Sequence, residues 1–391
     1  MRNHKKQIII TSAIILTAAI ILSLFFVIKK NNTDIKLEIR TSELDEQSYW
    51  NPDIHGIAKA ENGYYYLTRD NMVIVLKYFD KQTNTAVPVC AKAECTHTSK
   101  DCNARFDMEE YLNAAVYYYR DNIYMVKVSN GMARLVCIKS DGSERKEVAD
   151  IFANDLVSSI SMVFYGDYVY AYDHLGHTGS GKSGKEIIKK INIYNGNSET
   201  VFEYEGTDCA INGAKSFGDK LFFKVFGYSI DKQTLKAKMD FKLYCYDYNT
   251  GESSRVSDMN IADYYVDSEM GVLYYFVIGK GLYSQKLNGE NNKLLYAADE
   301  NMVSAVLSYD GKYIYMGNGG IGSTADITKS VERMVLVLDT EGNIVNTITL
   351  GDEINNLYFG DENYLFVTIE NELAYIDKSK ITEQQTWSIP E

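Results

Sequence analysis

Gly166-Asp167-Tyr168-Val169-Tyr170 decides the fold of this chain, because the same phrase recurs along it. In each copy an aromatic-rich strand follows a turn that contains Gly, Asp or Asn. The other copies are Gly63-Tyr64-Tyr65-Tyr66, Asp121-Asn122-Ile123-Tyr124, Gly218-Asp219-Lys220-Leu221-Phe222, Gly271-Val272-Leu273-Tyr274, Gly311-Lys312-Tyr313-Ile314-Tyr315 and Glu362-Asn363-Tyr364-Leu365-Phe366. They lie roughly fifty residues apart, a period typical of repeated four-stranded units. The repeat predicts an all-β fold, a β-propeller with one blade per copy.

A second signal follows the aromatic strand: a strand of alternating apolar and polar residues that ends in a tight turn. Its clearest copies end at Ser140-Asp141-Gly142, Tyr194-Asn195-Gly196, Asn249-Thr250-Gly251, Leu287-Asn288-Gly289 and Thr340-Glu341-Gly342. A strand, a tight turn and a returning strand describe the outer half of a blade. We therefore expect seven blades, with six or eight as the alternatives, in one domain over residues 56–391.

Residues 8–28 are an uncharged run of apolar and small residues, long enough to cross a bilayer as one helix. Basic residues precede the run, which favours a cytoplasmic tail at residues 1–7. The end of the run offers no small-x-small cleavage site, so an uncleaved signal anchor is favoured over a cleaved signal peptide. Residues 29–55 would then form a linker or a strand that closes the ring. The propeller would lie outside the cytoplasm, on the surface of the cell membrane.

The charge of the chain argues against nucleic acid as a partner. The formal net charge is −13, and the first thirty residues hold five basic and no acidic side chains, which leaves −18 for the remainder. Such a domain repels phosphate backbones. A hydrophobic content of 46% indicates a folded chain rather than a disordered stalk.

One segment concentrates half of the cysteines of the chain. Cys90, Cys95, His97 and Cys102 follow one another with the spacing C-x4-C-x-H-x4-C. Three thiolates and one imidazole form a complete tetrahedral set for zinc, provided that a tight turn lets both Cys95 and His97 face the ion. Alternatively, an oxidising exterior joins two of the three cysteines in a disulfide, and His97 is an ordinary loop residue. A redox-active or unpaired thiol is the third interpretation.

The other cysteines and most tyrosines have simpler interpretations. Cys137, Cys209 and Cys245 stand singly in strand-like contexts and are expected to be buried thiols. The chain has 32 tyrosines. Tyrosine favours strands, because its ring packs on a pleated surface while its hydroxyl remains free to bond, so we expect most of them in strands between blades.

Two resemblances follow from these motifs. The pattern Leu-Tyr/Val-x-x-x-Leu/Ile-Asp/Asn-Gly resembles that of the YWTD-type propellers of low-density-lipoprotein receptors and of bacterial TolB-like propellers, over residues 57–391, although the YWTD tetrapeptide is absent. The segment with Cys90, Cys95, His97 and Cys102 is similar to one in membrane-tethered propellers of Gram-positive bacteria, where it follows the first blade. That family has no assigned activity, so the resemblance implies a fold and a tether but no reaction.

Residues 176–183, Gly-His-Thr-Gly-Ser-Gly-Lys-Ser, fit the phosphate-binding pattern G-x4-G-K-S. Nucleotide binding also requires that the loop opens a helix whose N-terminus faces the phosphates. The residues that follow, 184–194, read instead as a strand of a hairpin. We therefore expect a glycine-serine loop between strands, no bound nucleotide, and His174 and His177 in solvent.

The sequence contains no Gly-x-Ser-x-Gly elbow, His-Glu-x-x-His motif or EF-hand loop. Propellers bind across one face through the loops that connect their strands. The sequence therefore predicts a binding or sensing module for an envelope protein, a peptide or a glycan. The alternative is a glycan-active lyase or hydrolase, whose catalytic residues would come from different blades to the mouth of the channel. For that alternative the sequence identifies no catalytic residue.

Overall fold

Seven antiparallel sheets follow one another along the chain. The computed structural model describes residues 35, 56–99, 101–111, 115–153, 160–178, 180–230, 237–298, 305–317, 333–358 and 360–391.

Blade 1 contains β1 Ile57–Lys59, β2 Gly63–Asp70, β3 Val73–Asp80, β4 Thr85–Pro88 and β5 Arg105–Asp107. Blade 2 contains β6 Tyr117–Tyr119, β7 Asn122–Ser129, β8 Met132–Lys139 and β9 Arg145–Ala153. Blade 3 contains β10 Ile160–Tyr165, β11 Tyr168–Asp173, β12 Ser183–Asn192 and β13 Ser198–Thr207. Blade 4 contains β14 Cys209–Phe217, β15 Lys220–Ile230, β16 Ala237–Asp247 and β17 Ser253–Arg255. Blade 5 contains β18 Ile261–Asp267, β19 Val272–Val277, β20 Gly281–Lys286 and β21 Lys293–Ala297. Blade 6 contains β22 Val306–Tyr309, β23 Ile314–Gly317, β24 Met334–Leu338 and β25 Ile344–Thr349. Blade 7 contains β26 Ile354–Tyr358, β27 Tyr364–Ile369 and β28 Glu372–Asp377.

The repeated aromatic phrase is the second strand of every blade, from β2 in blade 1 to β27 in blade 7. The alternating strand that ends in a tight turn is the third strand, as in β8 and β24. The prediction of an all-β propeller with seven blades is therefore confirmed, and the alternatives of six and eight are wrong.

The order of strands within a blade places the loops on two faces. Each sheet runs in sequence order from its first strand, and the first strands of neighbouring blades, such as β18 and β22, contact each other around the middle of the ring. Because successive strands are antiparallel, the loops between second and third strands share one face with the crossovers between blades. We call this the crossover face. The loop between β11 and β12, residues 174–182, lies on it.

Tyrosine hydroxyls join neighbouring blades. The buried Tyr117 of blade 2 accepts a hydrogen bond from the backbone N–H of Met162 in blade 3, at 3.1 Å. In the same way Tyr172 of blade 3 accepts from the N–H of Ala214 in blade 4, at 3.0 Å. Tyrosine suits this place, because its ring packs between two sheets while its hydroxyl bonds the backbone of the next blade. The expectation that tyrosines lie in strands between blades is confirmed for these residues.

Blade 7 closes on blade 1 through the last residues of the chain. Ser388 pairs with Tyr375 on the outer edge of β28, and the backbone of Glu391 bonds Asn84 and Ala86 in blade 1. Nearer the middle of the ring, Tyr64 of β2 donates to a carboxylate oxygen of Asp361 at 2.7 Å. These contacts join the two ends of the propeller.

The anchor prediction falls outside the described residues, as do residues 1–7. Within residues 29–55 only Ile35 is described, and its side chain packs against the apolar core of blades 4, 5 and 6. No helix in the described part of the chain is both long and apolar enough to cross a bilayer.

Lys378, at the start of a short 3-10 helix after β28, is buried without a hydrogen-bond partner for its Nζ. That atom lies 4.0 Å from the ring centroid of Tyr315, and burial lowers the pKa of Lys378 to about 8. Between that pKa and the ordinary value of 10.5, Lys378 is protonated in the unfolded chain but neutral in the folded one, so the free energy of unfolding rises with pH in this window. Below the window the lysine is protonated in both states, and the full cost of burying its ammonium group applies.

We therefore expect Lys378→Met to raise the free energy of unfolding at pH 7 by about 2 kcal/mol. The gain should shrink as the pH rises towards 10.5, where the folded lysine is neutral and half of the unfolded lysine has lost its proton. Urea titrations at the two pH values measure this, with the exposed Lys280→Met as the matched control. A variant less stable than the parent at pH 7 would show that the ammonium contributes favourably where it lies.

Candidate functional site

The Cys/His segment interrupts the outer strand of blade 1. Both β4 and β5 pair with β3, and residues 89–104 leave the sheet between them. Both ends of the excursion are hydrogen-bonded to Leu76 of β3. The N–H of Val89 donates to the carbonyl of Leu76 at 3.0 Å, and the N–H of Leu76 donates to the carbonyl of Ala104 at 2.9 Å. The segment therefore lies within the first blade rather than after it.

The excursion brings the four predicted ligands together. One ligand atom from each of Cys90, Cys95, His97 and Cys102 lies within 4.8 Å of all the others. The Nδ1 atom of His97 is 3.4 Å from Sγ of Cys102. Ligand atoms of a tetrahedral zinc site are about 3.6–3.8 Å apart, so the spacing fits such an ion.

Two left-handed residues make this convergence feasible. Glu94 and His97 both have a φ of 58°, a backbone conformation in which non-glycine residues are uncommon. They supply the tight turn that both Cys95 and His97 require in order to face one point. The sequence indicated the requirement but not the conformation that meets it.

Backbone amides surround the sulfur atoms. Burial opposes ionisation of Cys90, but the N–H groups of Lys92 and Asn103 donate to its sulfur and, with the neighbouring thiols, lower its pKa. Cys102 is 1% exposed, and burial raises its pKa to about 11, although the N–H of Ala104 also donates to its sulfur. Such N–H donors orient and stabilise thiolate ligands.

The four side chains of this centre form a donor set for a metal ion. All six cysteines are described, and none of them forms a disulfide. The group Cys90, Cys95, His97 and Cys102 can hold a metal ion. Soft thiolate ligands with an imidazole favour zinc among the common metals, and four protein ligands leave no open position for a substrate.

The remaining cysteines are buried, as expected. Cys137, Cys209 and Cys245 lie on β8, β14 and β16, each less than a tenth exposed. Burial raises the pKa of each thiol, which keeps it protonated.

The glycine-serine stretch lies between strands, as predicted, and it leads into β12 rather than a helix. Its histidines are half-buried, with the His177 side chain 41% exposed, and each has a hydrogen-bond partner in the protein. Nδ1 of His177 lies 2.5 Å from an oxygen of the buried Glu186, whose pKa is raised by burial. Nδ1 of His174 lies 2.8 Å from the hydroxyl of Ser161. Both rings are held because the loop folds back over β10 and β12.

Sequence reasoning missed a cluster of charges in the first two strands of blade 4 and the first strand of blade 5. The carboxylate of Asp263 lies 3.5 Å from Nζ of Lys215 and 3.6 Å from Nζ of Lys224. The N–H of Leu307 also donates to it, at 2.7 Å. Backbone carbonyls complete the shell of each lysine, so the cluster joins three blades. A usable signal was present, since these charges interrupt otherwise apolar strands.

No protein-family model matches the chain, and no curated protein matches it. Among solved structures, Sqt1 of Saccharomyces cerevisiae is 11% identical with a TM-score of 0.49, over 92% of this chain and 88% of that one. A chain of the mitotic checkpoint complex is 9% identical with a TM-score of 0.49, over 89% and 95%. The protein lmo1340 of Listeria monocytogenes EGD-e is 10% identical with a TM-score of 0.40, over 69% and 79%. Values this low carry no inference about activity, and the fold is established by the strand pairing of this chain itself.

Proposed function

We propose that this protein is a membrane-anchored binding module. Residues 8–28 form an uncleaved signal anchor, residues 1–7 a cytoplasmic tail, and the propeller lies outside the cytoplasm. Its partner is a protein, peptide or glycan of the cell envelope, bound on the crossover face. The β-propeller fold is consistent with a protein-binding module, since propellers present many loops on a rigid scaffold.

One observation carries this proposal: the blades repeat one arrangement of antiparallel strands, and they differ from one another mainly in their loops. Charges in the inner strands, such as Asp263 and Lys215, are bonded to one another and to the backbone, where they hold blades together. Among the described connections, the excursion 89–104 and the loop 174–182 are longer than the two-residue turns 71–72, 130–131 and 370–371, which join the second and third strands of blades 1, 2 and 7. Variable loops on a repeated frame are typical of binding proteins.

In this proposal the group Cys90, Cys95, His97 and Cys102 holds one zinc ion. When bound, zinc supplies a fixed tetrahedral centre to which four points of the excursion attach. The chain's own residues orient the ligands, through the N–H groups of Lys92 and Asn103 at the sulfur of Cys90. The site is structural rather than catalytic, and it holds the excursion at the rim of the ring.

The anchor is tested by fractionation of cells that express the full chain or a variant without residues 8–28. We expect the full chain to sediment with membranes, to resist high salt and to be released by detergent, because about twenty apolar residues insert stably. A protease added to intact protoplasts should degrade the propeller. Release of the full chain by salt, or protection of the propeller in intact protoplasts, would contradict this part of the proposal.

Binding is tested by photo-crosslinking in cells at exposed apolar positions. Met72 and Leu175, 62% and 46% exposed, lie in loops of the crossover face, whereas Met270, 65% exposed, lies in a turn of the opposite face. With a photoreactive residue at each position, we expect a discrete adduct from the first two positions and none from Met270. Adducts from Met270 alone, or from no position, would overturn the binding role on this face.

A further inference from the structure

A cavity of about 340 Å³ lies between blades 1 and 2 at the outer rim of the propeller. The strand β5 and the crossover after it form one wall, and β7, β8 and β9 form the other. Ligand pockets commonly begin at about this volume, which is enough for one or two side chains of a partner.

Four cationic side chains line this cleft, although the chain as a whole is acidic: Arg105, Lys127, Arg145 and Lys146. Lys127 is neutralised locally, since its Nζ lies 3.3 Å from the carboxylates of both Glu110 and Glu147. Arg145 and Lys146, both exposed, have no carboxylate within ion-pair distance among the described residues. The cleft therefore has cationic groups available for an anionic ligand.

The floor of the cleft is aromatic and holds one of these cations in place. The rings of Phe106 and Tyr111 meet edge to face, with centroids 5.0 Å apart, and both residues are buried. The guanidinium of Arg145 lies 4.9 Å from the ring centroid of Phe106. A guanidinium held over a ring keeps its planar donors directed outward, where they match the two oxygens of a carboxylate.

The opposite wall is held by the metal-binding excursion. Nη1 of Arg105 donates to the carbonyl of His97 at 3.2 Å, and Nδ2 of Asn103 donates to the carbonyl of Gly142 in blade 2 at 2.6 Å. The excursion thus bridges both blades next to the cleft. Asp107, on the same wall, accepts from the N–H of Glu109 at 3.0 Å and adds one acceptor for a ligand N–H group.

We propose that this cleft binds a carboxylate on a peptide segment of the partner, with Arg145 and Lys146 as its charge partners. The inference rests on the proposed binding function and names the ligand class. A peptide fits the mixed lining, because its carboxylate meets the cations, its apolar atoms meet Phe106 and Tyr111, and its N–H groups meet Asp107. The carboxylate belongs either to an acidic side chain or to a chain end.

Fluorescence anisotropy of the full chain in mild detergent tests this inference with three labelled tetrapeptides. One probe is Gly-Ser-Glu-Gly amide, the second is Gly-Ser-Tyr-Gly with a free carboxylate, and the third is Gly-Ser-Gln-Gly amide. We expect one of the carboxylate probes to bind about tenfold or more tightly than the uncharged probe, as for loss of a charged hydrogen-bond partner. The stronger of the two identifies the source of the carboxylate.

Variants then locate the binding. Arg145→Glu and Lys146→Glu should each weaken the better probe about tenfold or more, whereas Lys280→Glu, exposed on blade 5, should change affinity less than twofold. Arg145→Lys keeps the charge but not the planar donors and should give an intermediate loss. Unchanged circular dichroism spectra exclude misfolding as the cause.

Equal binding of charged and uncharged probes, no binding of either carboxylate probe, or equal affinity of the cleft variants and Lys280→Glu would overturn the inference. Failure of this inference can be distinguished from failure of the proposed binding function. If only the carboxylate inference is wrong, the photo-crosslinks from Met72 and Leu175 would persist.

Discussion

Asp263→Ala is expected to lower the free energy of unfolding by about 3–5 kcal/mol. The Asp263 side chain is 3% exposed, and its carboxylate lies between the ammonium groups of Lys215 and Lys224. Its second oxygen accepts from the N–H of Leu307 in blade 6. Alanine would leave two buried cations without a counter-charge and one buried N–H without an acceptor.

The size of this effect follows from burial rather than from the number of ion pairs. The Lys215 side chain is 1% exposed and that of Lys224 is 10% exposed, so water cannot replace the lost carboxylate. Solvent screens an ion pair on the surface, and most such pairs contribute less than about 1 kcal/mol. The Arg255–Asp258 pair, 3.1 Å apart with the aspartate 86% exposed, is the surface counterpart in the same part of the molecule.

Urea unfolding monitored by circular dichroism measures the difference, with Asp258→Ala as the matched control. We expect the control to lose less than about 0.5 kcal/mol. The double variant Lys215→Met, Asp263→Leu should recover part of the loss, because apolar residues of similar volume often replace a buried ion pair at little cost. Equal losses for Asp263→Ala and Asp258→Ala would show that the cluster does not hold the three blades together.

The fold was predictable because its information is local and repeated. Each aromatic phrase, such as Tyr168-Val169-Tyr170, specifies a strand next to a turn, and seven copies at one period allow few other arrangements. The register of a strand pair follows from the turn and the alternation of its side chains. Sequence alone therefore predicted seven blades, with six and eight as alternatives, and placed the strand with the tight turn in the outer half of each blade.

The candidate site was predictable only in part, for a different physical reason. The four ligands lie within thirteen residues of sequence, so their spacing showed the donor set. Their place in the middle of an outer strand depends on β4 and β5 pairing with the same partner, which no local pattern encodes. The contacts of Lys215 with Asp263 and Leu307 join residues 48 and 92 positions apart, and the packing of consecutive blades around the ring brings them together.

Cys102→Ala is expected to abolish stoichiometric zinc binding, from one ion per chain in the parent to none in the variant. Zinc held by four protein ligands contributes about 10–16 kcal/mol, so one ligand accounts for roughly 3 kcal/mol, or about a hundredfold or more in affinity. Cys102 is the most buried ligand of the group, and its sulfur accepts from the backbone N–H of Ala104. Water in its place would not restore the negative charge of the thiolate ligand.

Metal analysis of the full chain, purified in mild detergent and dialysed against zinc-free buffer, measures the stoichiometry. Cys137→Ala is the matched control, since it likewise removes a buried thiol, here on β8 of blade 2, but none of the four ligands. This variant should retain one zinc ion per chain. In the parent, Cys90, Cys95 and Cys102 should react with a thiol reagent only after denaturation with a chelator. A metal-free parent lighter by two hydrogens would identify a disulfide instead. Equal zinc content in Cys102→Ala and Cys137→Ala would place the ion elsewhere, because a site that keeps its metal without its most buried ligand is not the tetrahedral centre that these four residues form.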